Sequence, residues 1–220
     1  MKVVITGSSS GMGNECTKKF LMNGHEVHGL DILPPPDTES LTSLFHYHNC
    51  DVSDAKTLPE IEGCEILINN AGVQDSGRDI DINLKGVINC TQKYALRNPH
   101  IISVLNQAST AAHLGTDFPE YVASKGGVIS YTKWTAKEIA RFGATCNSLS
   151  FGGVITSSNN PVIYNQQLWE QVMNLTPLKR WCSLAEAAEW IYFMTVVNKS
   201  ASGVDIIIDN LESLNGTFVW

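Results

Sequence analysis

The chain has 220 residues, of which 43% are hydrophobic, so it can bury a sizeable core and is expected to form a single domain over residues 1–220. Its net charge of −7 argues against a nucleic-acid partner, because proteins that bind polyanions usually present a basic stripe. No apolar run approaches the ~18 residues of a membrane span. The start "MKVVITGSS" has too short an apolar stretch for a signal peptide, so we expect no membrane partner.

The six cysteines are scattered along the chain, without a CxxC pair or a clustered histidine partner. Free buried thiols in a reducing compartment explain this distribution better than disulfides or zinc ligands. We therefore expect a cytoplasmic protein with no metal site.

Short apolar runs alternate with helical patterns along the chain. The strand candidates are residues 2–6, 26–31, 45–50, 65–69, 100–105, 145–151 and 204–209. The helix candidates are residues 12–23, 83–97, 121–142 and 184–197, with a further helix within 162–175. "SLAE" at 183–186 predicts a capping box at the start of the last long helix. The alternation predicts an α/β fold with a doubly wound, mostly parallel seven-stranded sheet and helices on both faces.

The stretch "TGSSSGMG" joins the first strand to the first helix and contains Gly7, Gly11 and Gly13. Glycines there let the backbone turn sharply and approach a diphosphate, while the helix N-terminus supplies N–H donors. A flexible Ser/Gly turn is the alternative, but the first strand-to-helix junction is where a dinucleotide site belongs. The GxxxGxG spacing differs from the GxGxxG of the common dinucleotide fingerprint.

Asp31 closes the second predicted strand. A carboxylate at this position can accept hydrogen bonds from the adenosine ribose hydroxyls and would repel a 2′-phosphate. No lysine or arginine occurs in "SSSGMG" or beside Asp31 to receive that phosphate. NAD(H) is therefore expected as the cofactor rather than NADP(H), with an ordinary strand-ending aspartate as the alternative.

Tyr121 and Lys125 in "YVASKGG" are four residues apart, so on a helix they share one face. An ammonium group near a phenol lowers the tyrosine pKa and would make the phenol usable in proton transfer near neutral pH. A solvated helix face carrying an unrelated tyrosine and lysine is the commoner origin of such a pair, so the other motifs must decide.

Five motifs together resemble the short-chain dehydrogenase/reductase family in order and approximate spacing. They are "TGSSSGMG", "NNAG" at 69–72, Asn83 in "NLKG", Ser109 in "NQAST" and "YVASK". "DVSD" at 51–54 and "GGVIT" at 152–156 add to the resemblance, which covers almost the whole chain. It implies a doubly wound Rossmann fold and says little about the substrate.

The resemblance implies four catalytic roles. Tyr121 would exchange a proton with the substrate oxygen, and Lys125 would lower the Tyr121 pKa and hydrogen-bond the nicotinamide ribose. Ser109 would hold and polarise the carbonyl or alcohol oxygen. Asn83 would fix a water that links Lys125 to solvent.

The resemblance also implies the cofactor contacts, which come from six segments of the chain. Besides Tyr121 and Lys125, the expected cofactor-binding residues are Gly7, Ser9, Ser10, Gly11, Met12, Gly13, Asp31, Ile32, Asp51, Val52, Asn70, Ala71, Gly72, Val154 and Thr156. The aspartate and valine of "DVSD" would contact the adenine, and the last two residues would contact the nicotinamide amide.

The chain departs from the family pattern in three places. Only ten residues separate Gly72 from Asn83, about half the usual span or less, which leaves room for about two helical turns. Phe151 stands where the family commonly has proline, which adds bulk beside the expected nicotinamide site. Gly126 and Gly127 lie inside a predicted helix at a cost of ~1 kcal/mol each, which close packing across a subunit contact would offset.

Two further features are given less weight. His46 and His48 in "HYH" share one strand face and resemble half of a metal site. No further matching ligand pair is visible in the sequence, so partnered or solvent-facing histidines are the preferred interpretation. Residues 157–180 follow the sixth strand, where the family keeps a mobile lid over the substrate, and we expect a lid there.

The sequence thus predicts an NAD(H)-dependent oxidoreductase that interconverts an alcohol and a ketone or aldehyde, with Tyr121 as acid/base. Its expected partners are a small alcohol or carbonyl substrate and further copies of itself in a homodimer or homotetramer. The main alternative is a non-catalytic NAD(H)-binding or sensing protein on the same fold. A nucleotide-sugar epimerase is less favoured, because such chains usually carry a substantial substrate domain.

Overall fold

A parallel β-sheet forms the centre of the protein, whose computed structural model describes residues 1–35, 43–116 and 118–214. Within these ranges the sheet has seven strands in the order β3-β2-β1-β4-β5-β6-β7. The strands are β1 (Lys2–Thr6), β2 (Glu26–Asp31), β3 (Phe45–Asn49), β4 (Ile66–Asn69), β5 (Ser103–Ser109), β6 (Thr145–Phe151) and β7 (Asp205–Ile208). All six neighbouring pairs are parallel, which confirms the predicted doubly wound fold.

Helices connect the strands through most of the described chain. They are α1 (Gly11–Met22), α2 (Gly86–Tyr94), α3 (Ala111–Leu114), α4 (Pro119–Ile139), α5 (Asn160–Ile163), α6 (Gln166–Leu175) and α7 (Leu184–Tyr192). Short π-helical turns at Ile80–Lys85 and Phe193–Val197 precede α2 and follow α7, and 3₁₀ turns occur at Ala140–Phe142, Ser157–Asn159 and Glu212–Leu214. No helix in the described chain combines the length and apolar character needed to cross a bilayer.

The predicted capping box at the start of α7 is confirmed. The Glu186 backbone N–H donates to Ser183 Oγ at 3.2 Å, and the Ser183 N–H donates to Glu186 Oε2 at 2.9 Å. Two N–H groups that the helix geometry leaves unpaired are satisfied in this way.

Alternating strand residues divide the core between the two faces of the sheet. Val4 and its neighbours on one face pack against α2 and α4, whereas Val3 and Ile5 on the other face pack against α1 and α7. Successive side chains of a strand point to opposite faces, so the consecutive apolar residues 3–5 of β1 contribute to both cores. The helices therefore cover both faces, as the sequence predicts.

One strand boundary differs clearly from the prediction. The sequence places the fifth strand at 100–105, but β5 begins at Ser103 and continues to Ser109, which pairs with Phe151 of β6. Polar residues at 106, 107 and 109 interrupt the apolar pattern, so the sequence does not indicate that the strand continues there. Inside the sheet, main-chain pairing with β4 and β6 outweighs their low strand propensity.

The two glycines of α4 meet different surroundings. A β-carbon at Gly127 would lie 2.7 Å from Leu84 Cδ2, so close packing within this chain accounts for that glycine. The expectation that a subunit contact explains it is therefore unnecessary. A β-carbon at Gly126 would meet nothing within 4 Å.

All six cysteines are free and buried, as predicted. Burial raises the pKa of the Cys50 and Cys182 thiols to about 11 and that of Cys64 to about 12. These thiols are therefore protonated near neutral pH and behave as small apolar core residues.

Gly126→Ala and Gly127→Ala should have opposite effects on stability. Alanine at 126 gains about 1 kcal/mol of helix propensity in open space, whereas alanine at 127 must displace Leu84. Thermal unfolding should show a higher Tm for Gly126→Ala and a lower Tm for Gly127→Ala. A lower Tm together with a smaller particle mass for Gly126→Ala would instead place Gly126 in a subunit contact.

Candidate active site

A cleft of about 940 Å³ opens where the carboxyl ends of β1, β4, β5 and β6 meet. The sheet order changes direction between β1 and β4, and open α/β sheets bind ligands outside the strand ends at such a point. Of the predicted site residues, Gly7, Ser10, Gly11, Met12, Asn70, Ala71, Gly72, Ser109, Tyr121, Lys125, Val154 and Thr156 line this cleft. The structure therefore brings most of the predicted set into one place.

The glycine-rich loop is shaped by contacts that leave no room for side chains. Gly7 has φ +65°, and a β-carbon at Gly13 would overlap the carbonyl oxygen of Gly7. Asn70 Nδ2 donates to the carbonyl oxygens of Thr6 at 3.0 Å and Gly7 at 3.1 Å. The Thr6 hydroxyl in turn accepts the N–H groups of Asn70 and Ala71, so the loops after β1 and β4 form one unit.

The N-terminus of α1 faces this cleft through Ser10, Gly11 and Met12. Ser10 occupies the N-cap position without a side-chain hydrogen bond to the helix, and no acidic residue lies in the first turn. The N–H groups and the positive end of the helix dipole are thus available to an anionic ligand such as a diphosphate.

Asp31 lies at the end of β2 and is joined to the glycine-rich loop. Its Oδ2 accepts the Ser9 N–H at 2.9 Å, and its Oδ1 accepts the Leu33 N–H at 2.9 Å. Ser9 Oγ donates to the Leu33 carbonyl oxygen at 2.7 Å, while the Ile32 side chain is exposed. These contacts orient the carboxylate beside the loop, although Asp31 and Ile32 are not part of the cleft lining.

The expected adenine contacts Asp51 and Val52 also lie outside the cleft lining. Val52 is buried and packs against Gly86, where a β-carbon would come within 2.7 Å of Val52 Cγ2. Asp51 accepts hydrogen bonds from the Ser53 N–H and from Arg78 Nη2, both at 2.9 Å. Burial alone would raise the pKa of Asp51, but the hydrogen bonds from Ser53 and Arg78 outweigh it and lower this pKa.

Tyr121 and Lys125 lie on the same face of α4, near its N-terminus, and both line the cleft. The Lys125 Nζ atom is 5.6 Å from the centroid of the Tyr121 ring. It donates a hydrogen bond to the backbone carbonyl oxygen of Gln107 at 2.9 Å, which ties α4 to β5. The i, i+4 pair found in the sequence is therefore a true neighbour pair within the cleft.

Lys125 is only 3% exposed. Burial lowers the pKa of its ammonium group from the ordinary 10.5 to about 8, and the carboxylate of Asp79 opposes this only in part. Because a charged group in a low-dielectric site gains strongly from nearby acceptors, Lys125 is suited to interact with a phenol and a ribose hydroxyl.

Ser109 ends β5 at the floor of the cleft. Its Oγ accepts the Ala111 N–H at 3.2 Å, an arrangement that leaves the hydroxyl proton for donation. The side chain is buried, with 8% exposure. It can therefore present a hydrogen-bond donor to a substrate oxygen in the cleft.

Asn83 lies in the π-helical turn before α2 and is 1% exposed. Its side chain bonds both backbone groups of Val73, with Oδ1 accepting at 2.8 Å and Nδ2 donating at 2.9 Å. Nδ2 also donates to Ser124 Oγ at 3.0 Å. Asn83 thus fixes the start of the short 73–82 segment against α4; its expected role in holding a water stays a prediction.

Gln107 is a cleft residue that the sequence interpretation missed. Its Nε2 lies 3.9 Å from Met12 Sδ, and its buried Oε1 has no hydrogen-bond partner among the described residues. A buried acceptor without a donor is costly unless a ligand supplies the donor. The only feature of the sequence that could have indicated it was its position two residues before Ser109, on the same face of the strand.

Phe151 is the last residue of β6, with Ile208 of β7 as its ladder partner. Its side chain is 4% exposed and packs in the core beneath the cleft, and its carbonyl oxygen accepts the Thr110 N–H at 3.1 Å. Phe151 thus packs mostly in the core and also forms part of the cleft lining.

The segment expected to be a lid, residues 157–180, is held at both ends. Val154 and Cys182 form a parallel bridge, in which the Ile155 N–H donates to the Cys182 carbonyl oxygen at 2.9 Å. Between these ends, α6 has no buried residue. Trp181 then packs directly over Gly153, where no β-carbon would fit.

These features fit a nicotinamide dinucleotide. The side-chain-free Gly7–Gly13 contact allows close approach of a diphosphate, and the unpaired Gln107 Oε1 offers an acceptor further along the cleft. The uncapped start of α1 supplies the complementary N–H donors.

Comparison with known proteins identifies the family. The short chain dehydrogenase family matches residues 1–167, so the chain belongs to the short-chain dehydrogenase/reductase family. A 3-oxoacyl-[acyl-carrier-protein] reductase of Staphylococcus epidermidis is 31% identical over 147 residues, which are 59% of this chain and 58% of that protein. This chain therefore spans less than two thirds of that relative.

Solved structures share the fold at low sequence identity. A 4-hydroxyisoleucine dehydrogenase complexed with NADH has a TM-score of 0.86 at 24% identity, covering 95% of this chain and 97% of that one. A proposed 2-deoxy-d-gluconate 3-dehydrogenase from Agrobacterium tumefaciens with bound NADP has a TM-score of 0.87 at 23% identity, covering 96% of each. The two structures contain different cofactors, so the fold alone does not choose between them.

Lys125→Met should make stability depend less on pH. The unfolded chain keeps the lysine proton up to about pH 10.5, whereas the folded protein releases it near pH 8. The unfolded state therefore binds more protons between these values, and the wild-type protein gains stability as the pH rises through this window. At 1.36 kcal/mol per pKa unit, the gain is at most about 3 kcal/mol.

Urea unfolding of the cofactor-free protein at several pH values measures this effect. The advantage of Lys125→Met over the wild type should shrink as the pH rises from about 8 to 10.5. The matched control is Lys133→Met, an exposed position on the same helix. A constant difference between Lys125→Met and the wild type across the window would contradict the lowered pKa.

Proposed function

We propose that the protein is an NAD(H)-dependent oxidoreductase that interconverts an alcohol and a ketone or aldehyde. The observation that carries the proposal is the convergence of Ser109, Tyr121 and Lys125 in one cleft with the glycine-rich loop. A hydroxyl donor, a phenol and a buried ammonium together suit proton transfer to or from a substrate oxygen. When bound, the nicotinamide supplies or accepts the hydride.

In the direction of reduction, the proposed proton donor is the Tyr121 hydroxyl. The substrate oxygen would accept hydrogen bonds from Ser109 Oγ and from Tyr121, and it would gain the Tyr121 proton as its carbon becomes tetrahedral. Lys125 would stabilise the phenolate that remains, from its position 5.6 Å from the ring centroid. In the direction of oxidation the same groups act in reverse, with the phenolate taking the alcohol proton.

The preference for NAD(H) rests on Asp31. Its carboxylate is held beside the glycine-rich loop by the N–H groups of Ser9 and Leu33, so it cannot turn away without losing two hydrogen bonds. A fixed negative charge there would repel a 2′-phosphate and accept ribose hydroxyls. Arg78, in a neighbouring loop, already donates hydrogen bonds to Asp51 and Ser53.

The remaining parts of the proposal concern assembly, location and the lid. A homodimer or homotetramer is expected for the family, and the six free buried thiols fit a reducing compartment such as the cytoplasm. Residues 157–180 form an exposed segment with joined ends, which suits closure over a small alcohol or carbonyl substrate. Light scattering measures the assembly state. Limited proteolysis with and without NADH tests closure of residues 157–180.

Tyr121→Phe should remove turnover while preserving cofactor binding. Loss of a positioned acid/base costs about 10²–10⁴-fold in rate. The assay follows NADH absorbance with the alcohol or carbonyl that the wild type turns over best in a broad panel. Tyr131→Phe is the matched control, because it removes a tyrosine hydroxyl from the same helix at a position that does not line the cleft.

Full turnover by Tyr121→Phe would show that the assigned role is wrong. A wild-type protein that binds NADH but turns over no member of the panel would favour the alternative, a non-catalytic NAD(H)-binding or sensing protein. The short 73–82 segment and Phe151 are the features that motivate this alternative.

Asp31→Asn should shift the cofactor preference toward NADPH. Asparagine keeps one acceptor oxygen, so it retains one of the two backbone hydrogen bonds, and it removes the charge that would repel the 2′-phosphate. The ratio of the Kd for NADPH to the Kd for NADH, from fluorescence titration, should fall about tenfold or more. Asp54→Asn, an exposed change in a neighbouring loop, is the control and should leave the ratio unchanged.

If the wild type already prefers NADPH, the assignment of Asp31 is wrong, although the oxidoreductase proposal survives. If the wild type binds neither nucleotide, the oxidoreductase proposal itself is overturned.

A further inference from the structure

A cluster of one carboxylate and three imidazoles lies on β2 and β3, in register across the sheet. His28 of β2 pairs with His46 of β3, and Leu30 pairs with His48, so the three rings project from the same face. Glu26 lies two residues before His28 and shares that face. The sequence contains these residues as "EVH" and "HYH", but only the parallel pairing of β2 with β3 brings the two motifs together.

The potential ligand atoms of this cluster converge on one point. His28 Nε2 is 3.0 Å from Glu26 Oε1, and His46 Nε2 is 3.7 Å from the same oxygen. One ligand atom from each of these three residues lies within 4.8 Å of the others. Zinc bonds of ~2.0–2.1 Å in tetrahedral geometry separate neighbouring ligand atoms by about 3.3 Å, a value between the two observed distances.

His48 completes the cluster behind the three ligand candidates. Its Nε2 lies 3.0 Å from His28 Nδ1, and the two rings stack with centroids 5.3 Å apart. A ring that binds a metal through one nitrogen usually hydrogen-bonds a neighbour through the other, which fixes its tautomer and orientation. His28 already has this arrangement, with Nε2 turned to Glu26 and Nδ1 turned to His48.

The face that carries the cluster is accessible to ions from solvent. Residues 50–65, which connect β3 to β4, form turns rather than a helix, so no helix from this connection covers the amino-terminal half of β2 and β3. The His46 side chain is 45% exposed, whereas the His28 side chain is 13% exposed. Ions and water can therefore reach the cluster from solvent.

The cluster is distinct from the candidate active site. It occupies residues 26–28 of β2 and 46–48 of β3, whereas the cleft lies at the carboxyl ends of β1, β4, β5 and β6. None of its four residues lines the cleft.

We propose that Glu26, His28 and His46 form a binding site for a divalent transition-metal ion such as Zn²⁺, with His48 orienting His28 and solvent completing the coordination. Two imidazoles and one carboxylate are a ligand set that zinc uses in proteins. The bound ion would join the edge strand β3 to β2 and so stabilise that edge of the sheet.

A neighbouring lysine shares the Glu26 carboxylate with the cluster. Lys2 Nζ lies 3.8 Å from Glu26 Oε1 and is the competing cation. It also donates to the Glu62 carbonyl oxygen at 3.0 Å, so it keeps an acceptor when a metal takes Glu26.

The test is calorimetric titration of the full-length protein with ZnCl₂ after removal of any histidine tag. We expect saturable binding of one equivalent with micromolar or tighter affinity, together with a higher Tm. His46→Gln should abolish detectable binding, and the exposure of this residue makes the variant expected to fold. His48→Gln should weaken binding by about 10–100-fold, the usual cost of losing an outer partner.

His100→Gln is the matched control, because His100 is exposed and lies elsewhere on the surface. It should bind zinc as the wild type does. Substitution of Co²⁺ for Zn²⁺ distinguishes ligands, since the proposed site predicts a visible spectrum without the intense thiolate charge-transfer bands of a cysteine site. NADH binding of His46→Gln should remain unchanged, which separates this proposal from the proposed oxidoreductase function.

Two outcomes would overturn the metal site. One is the absence of saturable zinc binding by the folded wild-type protein. The other is zinc binding that His28→Gln and His46→Gln leave intact, which would place the ion elsewhere on the chain. In either case the hydrogen bonds among Glu26, His28 and His48 would be a purely structural network.

Discussion

The contact between Gly13 and the carbonyl oxygen of Gly7 is the constraint on which the cleft depends. It brings the start of α1 against the end of β1, so the backbone of the loop faces the cleft. Asn70 then bonds the same carbonyl oxygen and that of Thr6, which locks the loop after β4 to the loop after β1. Because both loops leave the sheet where its winding reverses, this one unit shapes the part of the cleft in which we propose that the nucleotide binds.

Buried hydrogen bonds also hold together the elements beneath the part of the cleft that contains Ser109 and Tyr121. Asn69 Nδ2 donates to Asn106 Oδ1 at 2.8 Å, and Asn106 Nδ2 donates to Thr132 Oγ1 at 2.9 Å, which joins β4, β5 and α4 below the cleft. Lys125 adds a bond from α4 to the Gln107 carbonyl oxygen. Hydrogen bonds in a low-dielectric interior hold these elements together, so Tyr121 and Ser109 are presented from firmly held elements.

Prediction from sequence succeeded where local pattern and structure agree. All seven strands, the capping box at Ser183 and the family membership follow from apolar runs, spacing and motifs. It was less exact at β5, whose polar residues hide a buried strand, and it assigned Gly127 to a subunit contact when Leu84 of the same chain packs there. Gln107 was missed because a glutamine in a strand matches no motif. Only the folded structure shows that its side chain lines the cleft with a buried oxygen that is unpaired among the described residues.

The sequence by itself determined the fold class, the glycine-rich loop and the pairing of Tyr121 with Lys125, because these depend on residues close together along the chain. Only the tertiary structure decided how Asp31 is held by Ser9, how Asn83 pins Val73 and how far burial lowers the Lys125 pKa. It also decided that "EVH" and "HYH" meet on one sheet face. Each of these depends on strand register and burial, which arise from contacts between distant segments that no local pattern encodes.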